Sequence, residues 1–303
     1  MKRKWYGGDT GLTIRMFLVM FMLAAVYLLF ITFLWAWGMD FFTLAIIAGL
    51  LLGAQYFFSD KIALWSVGAR EVSPTEAPEL HAMIERLAVS VDLPKPRVAL
   101  VESNVPNAFA TGRSPNNSVI AVTSSLLNRL QPEEIEAVLA HEMSHVRNRD
   151  VMVITLASFF AMIANFVMRS AMFGSMFGGY GRRRDEREGG NAVIIVYLVS
   201  LLVWLISFVL IRAISRYREY AADRGSAIIT GSPSLLASAL VKISGTMQRI
   251  PQQDLREVEG MNAFFIVPAI SGASIMELFS THPSIEHRLE RLKKMEQEME
   301  TLR

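Results

Sequence analysis

The 303-residue chain contains no cysteine. That excludes disulfides, thiolate metal sites and a cysteine nucleophile, and it leaves the redox compartment open. Charge is scarce and nearly balanced, with 30 Lys+Arg against 28 Asp+Glu and a net charge of +2. No basic stripe interleaved with aromatics appears, so nucleic acid is not an expected partner. No G-x-S-x-G occurs, which leaves a serine hydrolase poorly supported. Histidine is confined to five positions, few enough to weigh one by one. What the chain has in excess is apolar surface: 52% of its residues are hydrophobic, including 17 Met and 18 Phe. An ordinary soluble domain of this length is less apolar.

The excess is concentrated in runs. Met16 to Trp37, MFLVMFMLAAVYLLFITFLWAW, carries no charge over 22 residues; a helix needs about 20 to cross a hydrocarbon core. Trp35 and Trp37 fall where an interfacial aromatic belt belongs. Gly38 to Asp40 predicts a tight turn, and Phe41 to Phe58 a second span. Lys2, Arg3, Lys4 and Arg15 precede the first run, which puts the N-terminus in the cytoplasm by the positive-inside rule. A cleaved signal peptide is disfavoured, since the run is too long and no A-x-A-like site follows. Val151 to Val167 is a third run and Ala192 to Ile211 a fourth. Between them lies GSMFGGYGRRRDEREGGN, a Gly-rich charged loop. Two full crossings would carry Arg182, Arg183, Arg184 and Arg187 outside, against the same rule. Either the loop is an exception, or the pair is a hairpin that does not fully cross.

Four segments follow: a transmembrane hairpin over 1–58, a soluble part over 59–150, a hydrophobic hairpin over 151–211 and a second soluble part over 212–303. In the first soluble part, Leu80, Met83, Ile84, Leu87 and Val91 recur at helical spacing. RVALVES, NAFATG and SVIAVTSSLL read as short β-type runs between turn residues. Pro132 starts a helix with Glu133, Glu134 and Glu136 in its first turns, the end that favours negative charge. The final SIEHRLERLKKMEQEMETLR is an amphipathic helix with Ile285, Leu289, Leu292, Met295, Met299 and Leu302 on one side. Its expected role is a surface helix docked on the domain.

The Pro132 helix carries AVLAHEMSHVRNRD. His141 and His145 are spaced i, i+4, one turn apart on one face, roughly 6 Å in rise. Two neutral imidazoles so placed can take adjacent corners of a zinc tetrahedron. Glu142 points to a neighbouring direction, where it can accept a proton from the attacking water rather than bind the metal. This is the H-E-x-x-H pattern. A catalytic zinc needs a third protein ligand and an open position. The remaining histidines are His81, His282 and His287, and acidic candidates are many. The best is in SRYREYAADRGSA, where Glu219 and Asp223 are again i, i+4. Glu219 can complete a His-His-Glu set, with Asp223 accepting from a ligating histidine. The alternative is that Glu219 pairs with Arg216 or Arg218 on a solvated face. For Glu219 to meet His145, the segment between them must leave and return to the same side.

Taken together, PNAFATGRSP, AVLAHEMSHVRNRD, the hydrophobic pair, SRYREYAADRGSA and THPSIEHRLERL resemble the HtpX family of membrane zinc metalloendopeptidases, relatives of the Ste24 CAAX-type proteases. The likeness covers nearly the whole chain. It implies a mostly α fold with a small β-sheet, a gluzincin-type zinc metalloprotease domain attached to transmembrane helices. It implies one Zn²⁺ held by His141, His145 and Glu219, with Glu142 as general base. It implies that NAFATG lies on the edge strand lining the cleft, so that Asn107 and the backbone at Ala108 bind extended substrate by strand addition. A second Asn-Ala-Phe at 262–264 lacks the following Ala-Thr-Gly, and the first copy is favoured. In THPSIEHR, His282 and Arg288 match family positions. His282 is a candidate oxyanion donor, against the alternative that it only caps the last helix, and Arg288 a partner for a nearby acid. Ser284 stands where many members have a second proline. His81 and His287 are expected at the surface.

The activity expected is cleavage of misfolded or unfolded membrane and cytoplasmic proteins at the cytoplasmic face of a prokaryotic membrane, in quality control and stress response. The partners are protein or peptide substrates and the lipid bilayer. Three other readings compete. In a site-2-type intramembrane protease the motif would be bilayer-buried, and the charges around it (Glu133, Glu134 and Glu136 before, Arg147, Arg149 and Asp150 after) argue against that. CAAX-processing relatives have more spanning helices than four runs supply. A zinc-stabilised scaffold needs no base at Glu142 and closes with a fourth protein ligand.

Overall fold

The computed structural model describes residues 10–36, 41–154, 161, 163–169, 186–250, 266 and 282–301. Outside these lie Trp37, the turn at 38–40, most of the arginine loop (170–185), the second Asn-Ala-Phe at 262–264 and Leu302.

Two apolar helices lead, α1 (Thr10–Ala36) and α2 (Phe41–Ser66). On α1 the buried residues Val19, Leu23, Tyr27, Phe30 and Leu34 recur every three or four positions, one stripe of a helix. They pack with Ala164 and Val167 of the third run and with Val203, Leu210 and Ile214. The opposite face presents Phe17, Phe21, Leu28 and Leu29, each more than 60% exposed. An apolar face of that size is what lipid, not water, covers.

After strand β1 (Arg70–Glu71) come helix α3 (Pro78–Ser90) and strands β2 (Arg97–Val101), β3 (Ala108–Gly112) and β4 (Ser118–Thr123). The sheet order is β1-β2-β4-β3, with β2 and β4 parallel and the outer pairs antiparallel. Every residue of β4 is buried because both sheet faces are covered. Val98, Ala108, Ile120 and Val122 face the main helical core. Ala99, Val101, Phe109, Val119 and Ala121 face Leu64, Val67 and Ala69 at the end of α2. The end of the second helix therefore closes the back of the sheet. β3 is left as an edge. At its end Gly112 adopts φ +131°, and a Cβ there would meet Asn117 O at 2.2 Å, so glycine is required where the chain doubles back.

Helices α4 (Ser124–Arg129) and α5 (Pro132–Arg147) follow. The SSLL tail of the fourth β-type run is thus helical: the Thr123 hydroxyl accepts from Leu126 N at 3.3 Å and starts α4. Residues 150–154 and 163–169 are helical. Helix α6 (Glu186–Thr230) then runs 45 residues, across positions 211 and 212 without a break. Its segment Ile194–Thr230 and α1 are the described helices long and apolar enough to span a membrane. Helices α7 (Pro233–Met247) and α8 (Ile285–Thr301) complete the domain. Leu292 and Met299 of α8 are buried, and Ile285 and Leu289 pack on the core, so the amphipathic helix docks as its pattern predicts. His81 is a correction: it is buried in α3, its Nε2 2.9 Å from Val72 O. One ring nitrogen thus finds a backbone acceptor, while Nδ1 is buried without a hydrogen bond.

Candidate active site

α5 starts at Pro132, with Gln131 N–H donating to Glu134 Oε2 at 2.8 Å. Its far end brings the two histidine rings together, centroids 4.7 Å apart and nearly perpendicular, with the Nε2 atoms 3.1 Å apart. α6 supplies the third group. Glu219 Oε1 lies 3.4 Å from His145 Nε2, and Oε2 lies 3.6 Å from His141 Nε2. The three side chains are the described group that can hold a metal ion. Ligand bonds of about 2.0–2.1 Å at tetrahedral angles place donor atoms roughly 3.3 Å apart, and the observed separations bracket that value. Glu219 Oε2 is buried with His282 Nδ1 at 3.2 Å and His141 Nε2 and Arg288 NH1 each at 3.6 Å, none in good hydrogen-bond geometry, and a cation would satisfy it more fully. The residues fit a metal.

The outer partners hold the rings. His141 Nδ1 lies 3.0 Å from Asp223 Oδ1, and Asp223 receives both arms of Arg288, Nε at 2.9 Å and NH2 at 2.6 Å. His145 Nδ1 lies 2.6 Å from Asp150 Oδ2. Arg149 makes this contact possible: its φ of +55° turns the chain back at the end of α5. Arg218, weighed from sequence as a partner for Glu219, instead sits 3.0 Å from Asp150 Oδ1. Burial opposes a charge on His141, but Asp223 and Glu219 outweigh it and push the imidazole up to about 9. Carboxylates that favour a proton there favour a metal dication in its place.

Glu142 lies beside the pair, 4% exposed. Burial holds its carboxyl above the usual carboxylate range, against the opposing pull of the two histidines. Its Oε2 accepts from Ala110 N at 2.9 Å. That N–H belongs to the free edge of β3: Asn107 O accepts from Thr123 N, so alternate residues Ala108 and Ala110 turn their backbone groups away from β4.

His282 is buried with Nδ1 3.2 Å from Glu219 Oε2. Ser284, not His282, sits at the start of α8, its O accepting from Arg288 N. His287 is exposed. Asn107 is turned inward: its Oδ1 accepts from Ile266 N at 3.0 Å, and Arg288 NH1 donates to Ile266 O at 2.6 Å. The structure thus brings His141, Glu142, His145, Glu219, Asp223, His282 and Arg288 into one cluster; Asn107 is linked to Arg288 through Ile266, and Ala108 lies on the same strand as Ala110. Sequence reasoning missed Asp150, Arg218, Ala110 and Ile266. A buried-role signal existed for Asp150, an acid at the mouth of an apolar run. NAFATG contains Ala110, though only Asn107 and Ala108 stand out in it, and nothing in the sequence marks the backbone of Ile266.

Comparison with known proteins agrees with this geometry. The model of peptidase family M48 matches residues 74–296. The protease HtpX homolog of Moorella thermoacetica is 61% identical over 302 residues, covering 99% of this chain and 100% of the relative. Protease HtpX homolog 2 of Methanosarcina acetivorans is 58% identical over 299 residues, with 99% and 100% covered. Among solved structures, S. mikatae Ste24p shares the fold at a TM-score of 0.55 and 21% identity, covering 94% of this chain and 67% of that one. With its apolar spanning helices and its His-His-Glu cluster, the chain belongs to peptidase family M48 and is a membrane metalloprotease.

Proposed function

We propose that the chain is a zinc-dependent endopeptidase that cuts misfolded or unfolded segments of membrane and cytoplasmic proteins at the cytoplasmic surface of a prokaryotic membrane, as a quality-control enzyme in the stress response. One zinc ion per chain is held by His141, His145 and Glu219. The observation that carries the reading is the convergence of those three donors with Glu142 alongside, itself tied to an open strand edge by the Ala110 N–H.

When bound, zinc supplies Lewis acidity toward the attacking water and the scissile carbonyl. Glu142 takes the proton of the attacking water and later passes it to the leaving amine. Burial raises its carboxyl above the usual carboxylate range, the direction that suits a group which must both take and return a proton. His282, on the Glu219 side, donates to the oxyanion that forms at the carbonyl. The unfolded substrate lies along the free edge of β3, using the backbone at Ala108. Asn107 keeps that strand end in place through Ile266. An open edge reads any extended chain, which supports unfolded polypeptide as the substrate class. Asp223 and Arg288 steady the His141 ring.

The test is cleavage of an unfolded protein by the purified, zinc-loaded chain beside Glu142→Gln. Turnover lost from a variant that still binds one zinc is the expected result. Full activity in Glu142→Gln would sink the base assignment. Zinc bound and no turnover in either chain would favour a non-catalytic scaffold.

A further inference from the structure

Each of the two α5 histidines is backed by the same chain of groups: imidazole, carboxylate, guanidinium. Behind His141 stand Asp223 and Arg288. Behind His145 stand Asp150 and Arg218, at 2.6 Å and 3.0 Å. Asp150 is as deeply set as Asp223, while the Arg218 side chain is 11% exposed against 1% for Arg288. Its members occupy particular places. Asp150 is the last residue before the third apolar run, and Arg218 follows the fourth, one residue ahead of Glu219. The two ends of the hydrophobic hairpin are therefore joined at the back of His145.

We infer that Asp150 and Arg218 are a positioning pair that fixes the His145 ring for metal binding. The inference rests on the metal reading given above. An imidazole that offers Nε2 to a metal carries its proton on Nδ1. A carboxylate on that nitrogen fixes the tautomer and the plane of the ring and raises its basicity. Such a carboxylate, buried and with one neutral partner, is itself unstable, and an adjoining guanidinium keeps it ionised and stationary. Neither residue stands on the Nε2 side of the ring, so both act through His145 and not on the substrate. Arg149, left-handed at φ +55°, turns the chain between the end of α5 and Asp150.

The experiment uses the full chain in detergent. Zinc affinity is measured by competition with a chromogenic chelator for wild type, Asp150→Asn, Asp150→Ala, Arg218→Lys and Arg218→Ala. The unfolding temperature of each metal-free form is recorded beside it, with kcat and KM at saturating zinc. Asp150→Ala and Arg218→Ala should bind zinc about 10–100-fold more weakly. Arg218→Lys should recover most of that loss, and saturating zinc should restore kcat with KM unchanged. A general structural role would instead lower the metal-free unfolding temperature and leave the affinity alone. Wild-type affinity in Asp150→Ala overturns the proposal, as it does in Asp150→Asn if the alanine variant does not fold. A wild-type chain that binds no zinc would overturn the metal reading itself, a separate result.

Discussion

Gly225 on α6 and Ser144 on α5 touch where the two site helices cross. A Cβ at Gly225 would lie 2.1 Å from Ser144 Oγ and 2.7 Å from its Cβ. Next to it, Ser226 Oγ donates to Ala137 O at 2.6 Å. The crossing sets how far Glu219 stands from the histidines, so it is a packing contact with a chemical consequence. Gly225→Ala should cost about 1–3 kcal/mol from overpacking and reduce activity together with metal retention. Adding Ser144→Gly should restore part of both. Thermal unfolding and zinc content of the single and double variants measure this.

Arg288 holds Asp223 with two nitrogens and Ile266 O with a third, and is 1% exposed. Removing it leaves a buried carboxylate without its cation. Arg288→Ala should therefore lose about 3–5 kcal/mol of stability. Arg288→Lys should recover only part of it, because an ammonium does not reproduce the planar fork. Chemical denaturation of the three proteins gives the order directly.

Glu134 joins α5 to α7. Its carboxylate accepts from Gln131 N, from Ser238 Oγ at 2.7 Å and from Lys242 Nζ at 2.8 Å. Burial pushes its carboxyl up, but the Lys242 and Ser238 contacts outweigh this and hold it below the usual carboxylate range. A lowered native pKa means that the stabilisation is complete above the unfolded-state value, about 4.3. It is lost as pH falls through the native value. Glu134→Gln should be less stable than wild type by about 1–3 kcal/mol at pH 7. The gap should close as the pH drops below about 4. Unfolding temperatures across a pH series test both statements.

Asn107 Oδ1 is the acceptor for Ile266 N–H in a buried setting. Asn107→Ala strands that donor, at about 1–3 kcal/mol. Because the same residue ends the open strand, KM for an unfolded substrate should rise while zinc content stays at wild type. A variant with an unaltered KM would limit Asn107 to holding Ile266.

The parts of this site that depend on local spacing were readable in the sequence. His141 and His145 meet because i, i+4 is helix geometry, and Glu219 and Asp223 share a face for the same reason. The one-sided stripe of α8 was readable in the same way. For Asp150 the sequence offered a hint of burial but not its partner, since the contact with His145 follows a left-handed residue, Arg149, that no pattern announces. The edge position of β3 was not derivable from spacing either, because strand order is a tertiary fact; the family likeness supplied it. The helix α6 carries a further lesson. Polarity changes sharply after Ile211, which invites a boundary there. The backbone ignores the change, because no proline or glycine interrupts the helix between Ala192 and Tyr220.

That unbroken helix has a mechanical meaning. From Ile211, where the apolar stretch ends, to Glu219 the axis rises about 12 Å, through backbone that has no hinge. The carboxylate is therefore mounted on the same stiff post as the apolar stretch. On the function proposed above, the reacting atoms then stand at a set height over the bilayer, and a membrane-tethered substrate would have to reach up to them before it could be cut.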